Sequence, residues 1–444
     1  MLPSGLRLLL QLAAVAAVVL GHPAGQEEPG APQPLERRNL DHCSATFNHP
    51  AFLKRTVEAH GAEYARLRRA LGLHAPDPSD MAGLVDSRAK RRRGLAPSRL
   101  EKRNYISVSK VDHHSNKTVS ATTDPVSLFA DAGACILMPS VDQGPLYVKG
   151  EQIRKNLTEG EAGLPLTLII QVVDYKTCQA VPNAYVDVWN TNATGMYIGV
   201  MGYPGMGDPH DTSMLKGTAL RGIQLTDDHG IVAFDTLMPG HYAGRATHIH
   251  SIVWLGAQKQ ANNTISGGKA AHVGQIYFDM PLLYQLDKLH PYVTNTMALL
   301  NNTADFLFQQ GANGDDPIAR YTFVGDKMEQ GMVAWIRYGI NTNNALTVNP
   351  AAFAEPDGID VMNPTGPISQ ITGGGFGGFG GFGGGGGGAG GGWGGFGGFG
   401  GGGGGGAGGG GWGGFGGGAN GVGRKIAAPV KRLAHAVAGM FGRA

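Results

Sequence analysis

Two histidines, His248 and His250, close the stretch "PGHYAGRATHIH" at residues 239–250, with Tyr242 and Arg245 just ahead of them. In an extended chain successive side chains alternate between faces, so these two imidazoles share one face while Thr247 and Ile249 take the other. Such a pair is a natural start for a metal site. Taken alone, an H-x-H is more often a half-exposed polar strand face. Tyrosines alter that balance. Tyr242 follows the Pro239-Gly240 turn, and Tyr147 follows a Gly-Pro turn in "DQGPLYVKGEQIR". A phenol ionises near pH 10 in water, so binding as phenolate requires a hard, strongly polarising cation. Zinc leans towards His, Cys and carboxylate, and copper has no need of two phenolates. Ferric iron suits this donor set. His241 sits beside Tyr242 but points to the other face of an extended segment, so it is not expected to be a ligand.

The elements that must position these groups read as strands. Runs rich in Val, Ile, Thr and aromatics, among them "LPLTLIIQVVDY", "NAYVDVWN", "GIVAFDTL", "THIHSIVWL" and "GQIYFDM", lie between about Tyr105 and Asn344. Turn signals at Pro182-Asn183, Asp228-His229-Gly230 and Pro239-Gly240 separate many of them. Helical patterning there is confined to a turn or two around Pro281–Leu289. The expected fold class is all-β, an antiparallel β-sandwich with long loops over residues 105–350. Ahead of it, residues 22–104 form an N-terminal helical and linker region. Leu53, Val57, Tyr64, Leu67 and Leu71 recur at helical spacing and imply one amphipathic helix. The basic clusters Arg91–Arg93 and Lys102–Arg103 are read as a solvated linker in preference to dibasic processing sites. His113 and His114 lie in a polar segment and are expected on the surface.

The two ends differ in character from this core. Arg7 precedes an apolar run from Leu8 to Leu20, short for a membrane span, and residues 1–21 read as a signal peptide of an exported chain. Residues 351–372 read as a linker. The chain holds 74 glycines, concentrated between Gly373 and Gly418, and the low-complexity segment 373–420 cannot bury enough side chain to offset chain entropy. It is expected to be disordered, with its Phe and Trp residues as weak stickers to a wall polymer or to other copies. Residues 421–444 place Ile426, Val430, Leu433, Val437 and Met440 on one face of a basic amphipathic segment. A net charge of +2 over 444 residues gives no reason to expect a nucleic-acid partner. In an exported chain, Cys135 and Cys178 could form a disulfide; the odd cysteine, Cys43, would then be free or paired between chains, unless it is itself the one that bridges. Sequons at Asn116, Asn156, Asn192, Asn262 and Asn301 are consistent with glycosylation.

Several of these stretches together resemble the intradiol ring-cleavage dioxygenases, in particular their secreted fungal members. The resemblance rests on "GPLYVKGEQIR", "TCQAVPNAYVDVWNTNATGMY", "RGIQLTDDHGIVAFDTLMPGHYAGRATHIH", "GQIYFD" and "VGDKMEQGMVAWIRYGI", in the family's order, over about Cys135 to Ile340. It implies a non-haem Fe(III) held by Tyr147, Tyr242, His248 and His250. It matches Arg245 to the family's active-site arginine, which stabilises negative charge developing on the ring, and Gln275 to a glutamine that assists by hydrogen bonding. It makes Tyr242 the phenolate that leaves the iron when a catechol binds as a dianion, with Tyr147 remaining. The implied partners are a small catechol-type phenolic and O2, and the implied product is a muconate opened between the two hydroxyl-bearing carbons. Within the same resemblance Trp189 is expected in the core, and Tyr197 is a lesser candidate for lining the pocket. The chain departs from the family at Asn190-Thr191, where secreted members often carry His-Cys, and at "ALRG" from Ala219, where the family has "FLRG". Neither departure touches a proposed ligand. No counterpart of the cytosolic enzymes' helical dimerisation region is recognisable, which leaves the oligomeric state open.

A rival expectation is a wall-associated structural glycoprotein that has lost turnover and acts through its glycine-rich tail. A set of ligands kept intact beside Arg245 favours the enzyme. An enzyme tethered to wall polymer by its tail reconciles the two. Deleting everything after Thr372 is then expected to spare turnover and abolish wall retention, as read by oxygen uptake and by fractionation of wall and medium.

Overall fold

In the computed structural model, the residues described are 40–73, 104–115, 128–129, 144–200, 212–354, 361–364 and 366. The expected signal peptide, the basic clusters, Asn116, Cys135, the glycine-rich segment and the basic C-terminal segment lie outside them. The strands in chain order are β1 (Val148–Lys149), β2 (Pro165–Asp174), β3 (Tyr185–Trp189), β4 (Arg221–Leu225), β5 (Ile231–Leu237), β6 (His248–Leu255) and β7 (Gln258–Lys259). They continue as β8 (Ile265–Ser266), β9 (Lys269–Tyr277), β10 (Arg320–Phe323), β11 (Met332–Ile340), β12 (Ala352–Phe353) and β13 (Val361–Met362). Three helices used below are α1 (Pro50–Ala70), α2 (Met280–Leu286) and α3 (Phe306–Gly311).

Two four-stranded sheets organise the chain, in the orders β10-β11-β2-β5 and β4-β3-β6-β9. Alternation along each strand explains how they meet. Leu166, Leu168, Ile170 and Val172 of β2 share one apolar core with Val186 and Val188 of β3, Ile249 and Val253 of β6, and Ile276 of β9. The opposite side of the first sheet, through Ile169, Ile231, Val333 and Trp335, packs on Leu53, Val57, Tyr64 and Leu67 of α1. Strands β2 and β11 are therefore covered on both faces, which is why both read as nearly continuous apolar runs. The other side of the second sheet carries His248 and His250, and there loops provide the cover, with α3 at the Tyr277 edge.

Pairing is antiparallel throughout the second sheet, but β2 and β11 pair parallel, as do β1 and β12. The expectation of a purely antiparallel arrangement is corrected accordingly. Alternation in a strand sets which face a residue takes and is silent on the direction of its neighbour. The linker expected from residue 351 begins instead with a strand. Ala351 N donates to Tyr147 O at 2.7 Å and Ala354 N to Lys149 O at 2.9 Å, stitching β12 to β1 beside the second sheet. The turn or two of helix expected near residue 281 is α2.

The N-terminal helix follows its sequence. Pro50 stands at the first helical position, where its missing N–H costs nothing, and Arg68 and Arg69 close the last turn near the negative end of the helix dipole. Ahead of it Cys43 is joined to Cys178, so Cys178 does not pair with Cys135. The cause is local packing: Leu40, Cys43 and Phe47 share an apolar cluster with Val173, Tyr175 and Cys178, which brings the two thiols together. Among the described residues no helix is long and apolar enough to cross a membrane.

His113 also departs from expectation, since it is completely buried. Its Nδ1 lies 2.7 Å from Asp279 Oδ1 and its Nε2 3.1 Å from both carboxylate oxygens of Asp316, so two distant acidic segments close on one imidazole. Burial opposes the charged form, but hydrogen bonds and charge from Asp279 and Asp316 outweigh it and push His113 up to about 9. A group whose folded value is raised stabilises fully below its unfolded value and loses that contribution as pH climbs through the folded one. The stability lent by His113 is therefore expected to hold up to about pH 6.5 and to drain away towards pH 9. Melting temperatures across this range should show the gap between the natural protein and Asp316→Asn narrowing as pH rises.

Candidate metal centre

The second sheet presents a row of side chains across all its strands: Arg221 opposite Trp189, Trp189 opposite His250, and His250 opposite Gln275. Directly opposite residues of antiparallel strands point the same way, so this row lies on the loop-covered face. His248, opposite Tyr277, stands in the adjoining row. The two imidazoles meet with Nε2 atoms 3.0 Å apart. His248 donates from Nδ1 to Ala246 O at 2.6 Å, which leaves its Nε2 with a lone pair aimed at the gap. The His250 ring stacks on Trp189, with centroids 4.6 Å apart and planes 1° from parallel. Gly144 lies at its edge, where a Cβ would come 3.0 Å from Cε1. Burial, followed by the Arg245 charge, pulls His248 down to about 3, and burial together with His248 and Arg245 holds His250 well below the usual imidazole range. Both rings are thus neutral and available as donors.

Two tyrosines complete the group. Tyr242 Oη lies 3.3 Å from His248 Nε2. The Tyr197 ring stands edge-on to Tyr242 at 5.8 Å and tilted to His250 at 6.0 Å. Its hydroxyl is buried and has no hydrogen-bond partner of normal geometry among the described residues. Burial raises both phenols, Tyr197 well above the ordinary value, so each stays protonated unless a cation stabilises its phenolate. Two glycines let the loops that carry them touch. A side chain on Gly195, at φ +83°, would run into His241 O at 2.1 Å, and one on Gly240 would meet Ala193 O at 2.3 Å.

Tyr147, expected from the sequence as a ligand, is engaged elsewhere. Its hydroxyl donates to Asp187 Oδ2 at 3.1 Å, one row further along the sheet, where Asp187 stands opposite Ile252. Burial and then the Asp187 and Glu151 charges raise the Tyr147 phenol well above its ordinary value. A phenol committed as donor to a buried carboxylate is a poor source of phenolate. What the Gly-Pro-x-Tyr motif brings to the centre is the Gly144 backbone. The orphaned hydroxyl belongs to Tyr197, in the stretch that had marked it only as pocket lining. Trp189 is in the core, as a face for His250. His241 takes no part, its Nε2 lying 2.8 Å from Met297 O.

Arg245 and Gln275 stand together at the other side of the imidazoles. Arg245 Nη2 donates to Gln275 Oε1 at 2.5 Å and to Tyr277 Oη at 3.3 Å. Its Nε donates to Asp305 Oδ2 at 2.9 Å. Tyr277 and Asp305 were absent from the residues singled out by sequence. Tyr277 lies two positions after Gln275 and so shares its face, a signal that could have been read; Asp305 carried none.

The residues that could hold a metal are two imidazoles and two buried phenols, Tyr197, Tyr242, His248 and His250, a set whose chemistry fits a hard trivalent cation. Two imidazole nitrogens 3.0 Å apart beside two buried phenols are the arrangement such a cation would relieve.

No family model and no curated protein matches the chain. Among solved structures it is similar to an intradiol ring-cleavage dioxygenase from Tetranychus urticae, at 29% identity over 48% of this chain and 97% of that one, with a TM-score of 0.40. It is also similar to the dioxygenase domain of a dioxygenase carbohydrate-binding protein fusion from a cellulolytic Streptomyces, at 22% identity over 46% of this chain and 97% of that one, TM-score 0.30. A catechol 1,2-dioxygenase from Acinetobacter shares 17% identity over 50% of this chain and 70% of that one, TM-score 0.33. These solved structures are intradiol ring-cleavage dioxygenases.

After loading with ferric iron, Tyr197→Phe is expected to retain much less metal and a weaker visible phenolate band than the natural protein, whereas Tyr147→Phe should match it in both. Absorption spectra with iron quantified per chain distinguish them, and the reverse pattern would restore Tyr147 to the ligand set.

Proposed function

We propose that the chain is a non-haem Fe(III) intradiol dioxygenase that opens a catechol-type aromatic between its two hydroxyl-bearing carbons, giving a muconate-type product. The observation that carries this reading is the convergence of the His248 and His250 nitrogens, the Tyr242 hydroxyl and the buried Tyr197 hydroxyl, with Arg245 beside them. Tyr197, Tyr242, His248 and His250 would hold the metal. Ferric iron, when bound, supplies the Lewis acidity that ionises both catechol hydroxyls and leaves the ring electron-rich enough to react with O2.

The chain's own groups account for the rest. Tyr242 Oη is the phenolate placed to take a proton from an incoming catechol hydroxyl, since burial favours its neutral form and only the Arg245 charge and its hydrogen bonds oppose this. Tyr197 would be the phenolate that stays, carried on the loop that Gly195 lets pack against the His241 backbone. Arg245 keeps a permanent positive charge beside Tyr242 and stabilises negative charge spreading over the ring. Gln275 Oε1 accepts from both Arg245 Nη2 and Tyr277 Oη, which fixes the guanidinium plane. Trp189 and the apolar neighbours Leu146, Ile252 and Val273 keep water from the back of the imidazoles.

Export belongs to the same proposal. The Cys43–Cys178 disulfide supports passage through an oxidising compartment, and the sequon residues Asn156, Asn262 and Asn301 are exposed. Association with a wall polymer would fall to the glycine-rich segment.

The purified protein is expected to show a broad visible absorption band with about one iron per chain, and the band should shift when catechol is added under nitrogen. Admitting oxygen should then start uptake with loss of the catechol. A protein that stays colourless after loading with ferric iron would overturn the proposal.

A further inference from the structure

Asp305 carries an assignment that rests on the dioxygenase reading of the centre. It is 1% exposed, and each of its carboxylate oxygens serves a different element. Oδ1 accepts from Leu307 N at 2.8 Å and Phe308 N at 3.1 Å, capping α3. Oδ2 accepts from Arg245 Nε at 2.9 Å and Ala246 N at 2.8 Å, gripping the backbone just ahead of His248. A buried carboxylate is costly unless its lone pairs are taken, and these donors take them. A helix cap by itself asks only for an uncharged oxygen of Ser, Thr or Asn. The negative charge answers to the guanidinium.

The segment that delivers Asp305 is itself anchored. Asn302 Nδ2 donates to Phe278 O at 2.8 Å, so the stretch between β9 and β10 is tied to the end of the strand that carries Gln275 and Tyr277. The guanidinium is planar with its donors in a fixed fork. Holding Nε on Asp305 and Nη2 on Gln275 and Tyr277 fixes that plane from both sides, and with it the direction of Nη1.

We propose that Asp305 is the positioning residue for Arg245. Through it, the segment after β9 aims the arginine's charge at the ring of the bound catechol. The carboxylate hydrogen-bonds to Arg245 and to backbone amides and to no side chain of the donor set, so its replacement is expected to act first on turnover.

The test uses the full-length, iron-loaded chain with Asp305→Asn and Asp305→Ser, both of which keep an oxygen able to cap α3. Expected is a fall in kcat of roughly tenfold to a hundredfold for catechol, the scale of a misplaced catalytic group. Iron content, the visible band and the midpoint of the anaerobic catechol titration should stay within twofold of the natural protein. A kcat within twofold in both variants would overturn the assignment. So would a loss that merely follows iron content, because that is what general damage to the fold produces. A crystal structure of Asp305→Asn adds a readout independent of turnover: the guanidinium should have left Gln275 Oε1, and an unmoved guanidinium refutes the positioning role whatever the activity. If instead the natural protein binds no ferric iron and consumes no oxygen, the dioxygenase reading fails, while the guanidinium position still decides whether Asp305 holds Arg245.

Discussion

Two imidazole nitrogens held 3.0 Å apart inside an apolar wall are the constraint on which the rest of the centre depends. Neither ring reaches water, burial keeps both neutral, and the hydrogen bond from His248 Nδ1 to Ala246 O leaves its Nε2 lone pair aimed inward. An arrangement of this kind is unfavourable as a polar contact alone, because donors facing one another in a poor dielectric gain little. It becomes favourable once a cation sits among them. The surrounding elements can be understood as devices that stop the rings from turning away: Trp189 lies flat on His250, and Gly144 leaves no space at the ring's edge.

The layering of the chain determines where such a wall can exist. One sheet is covered by α1 on one side and by the second sheet on the other, and its strands carry little besides apolar residues. The second sheet packs on the first through one face, and on its other face α3 meets only the edge, Phe308 against Tyr277. Its inner face is filled with Ile249, Val253 and Ile276, so polar chemistry is confined to the alternate positions, where Arg221, Trp189, His250 and Gln275 form one row. The loops that carry Tyr197 and Tyr242 close over that row. They approach each other backbone to backbone, which requires glycine at Gly195 and Gly240. A centre built in this way is rigid beneath and variable above, a division suited to a fixed metal geometry and an adaptable substrate.

Charge follows a similar division. The phenol of Tyr147 and the carboxylate of Asp187 satisfy each other deep in the second sheet, and His113 is enclosed by Asp279 and Asp316 at the end of β9. Arg245 is balanced on one side by Asp305 and remains next to Tyr242 on the other. Buried charge is tolerated in each case because a specific partner on another element meets it. The cost of burial is thereby turned into fixed orientation, and the arginine is the place where orientation matters for chemistry.

Much of this was legible in the chain by itself. The two-residue period placed His248 and His250 on one face, and the Val- and Ile-rich runs announced strands, because a strand's faces are a local property of the backbone. The spacing of Leu53, Val57, Tyr64 and Leu67 announced α1 for the same reason, and Arg245 and Gln275 were marked by resemblance. What the sequence left open was decided by contacts between distant segments. Tyr147 was expected as a ligand and Tyr197 only as pocket lining, and only the fold gave the first hydroxyl to Asp187 and set the second beside Tyr242 and His250. The parallel pairing of β2 with β11, the bridging of Cys178 by Cys43, the burial of His113 and the reach of Asp305 to Arg245 all belong to this class. A hydrogen bond or disulfide is satisfied by whichever partner the packing brings near, and the local pattern of a chain carries no record of that partner.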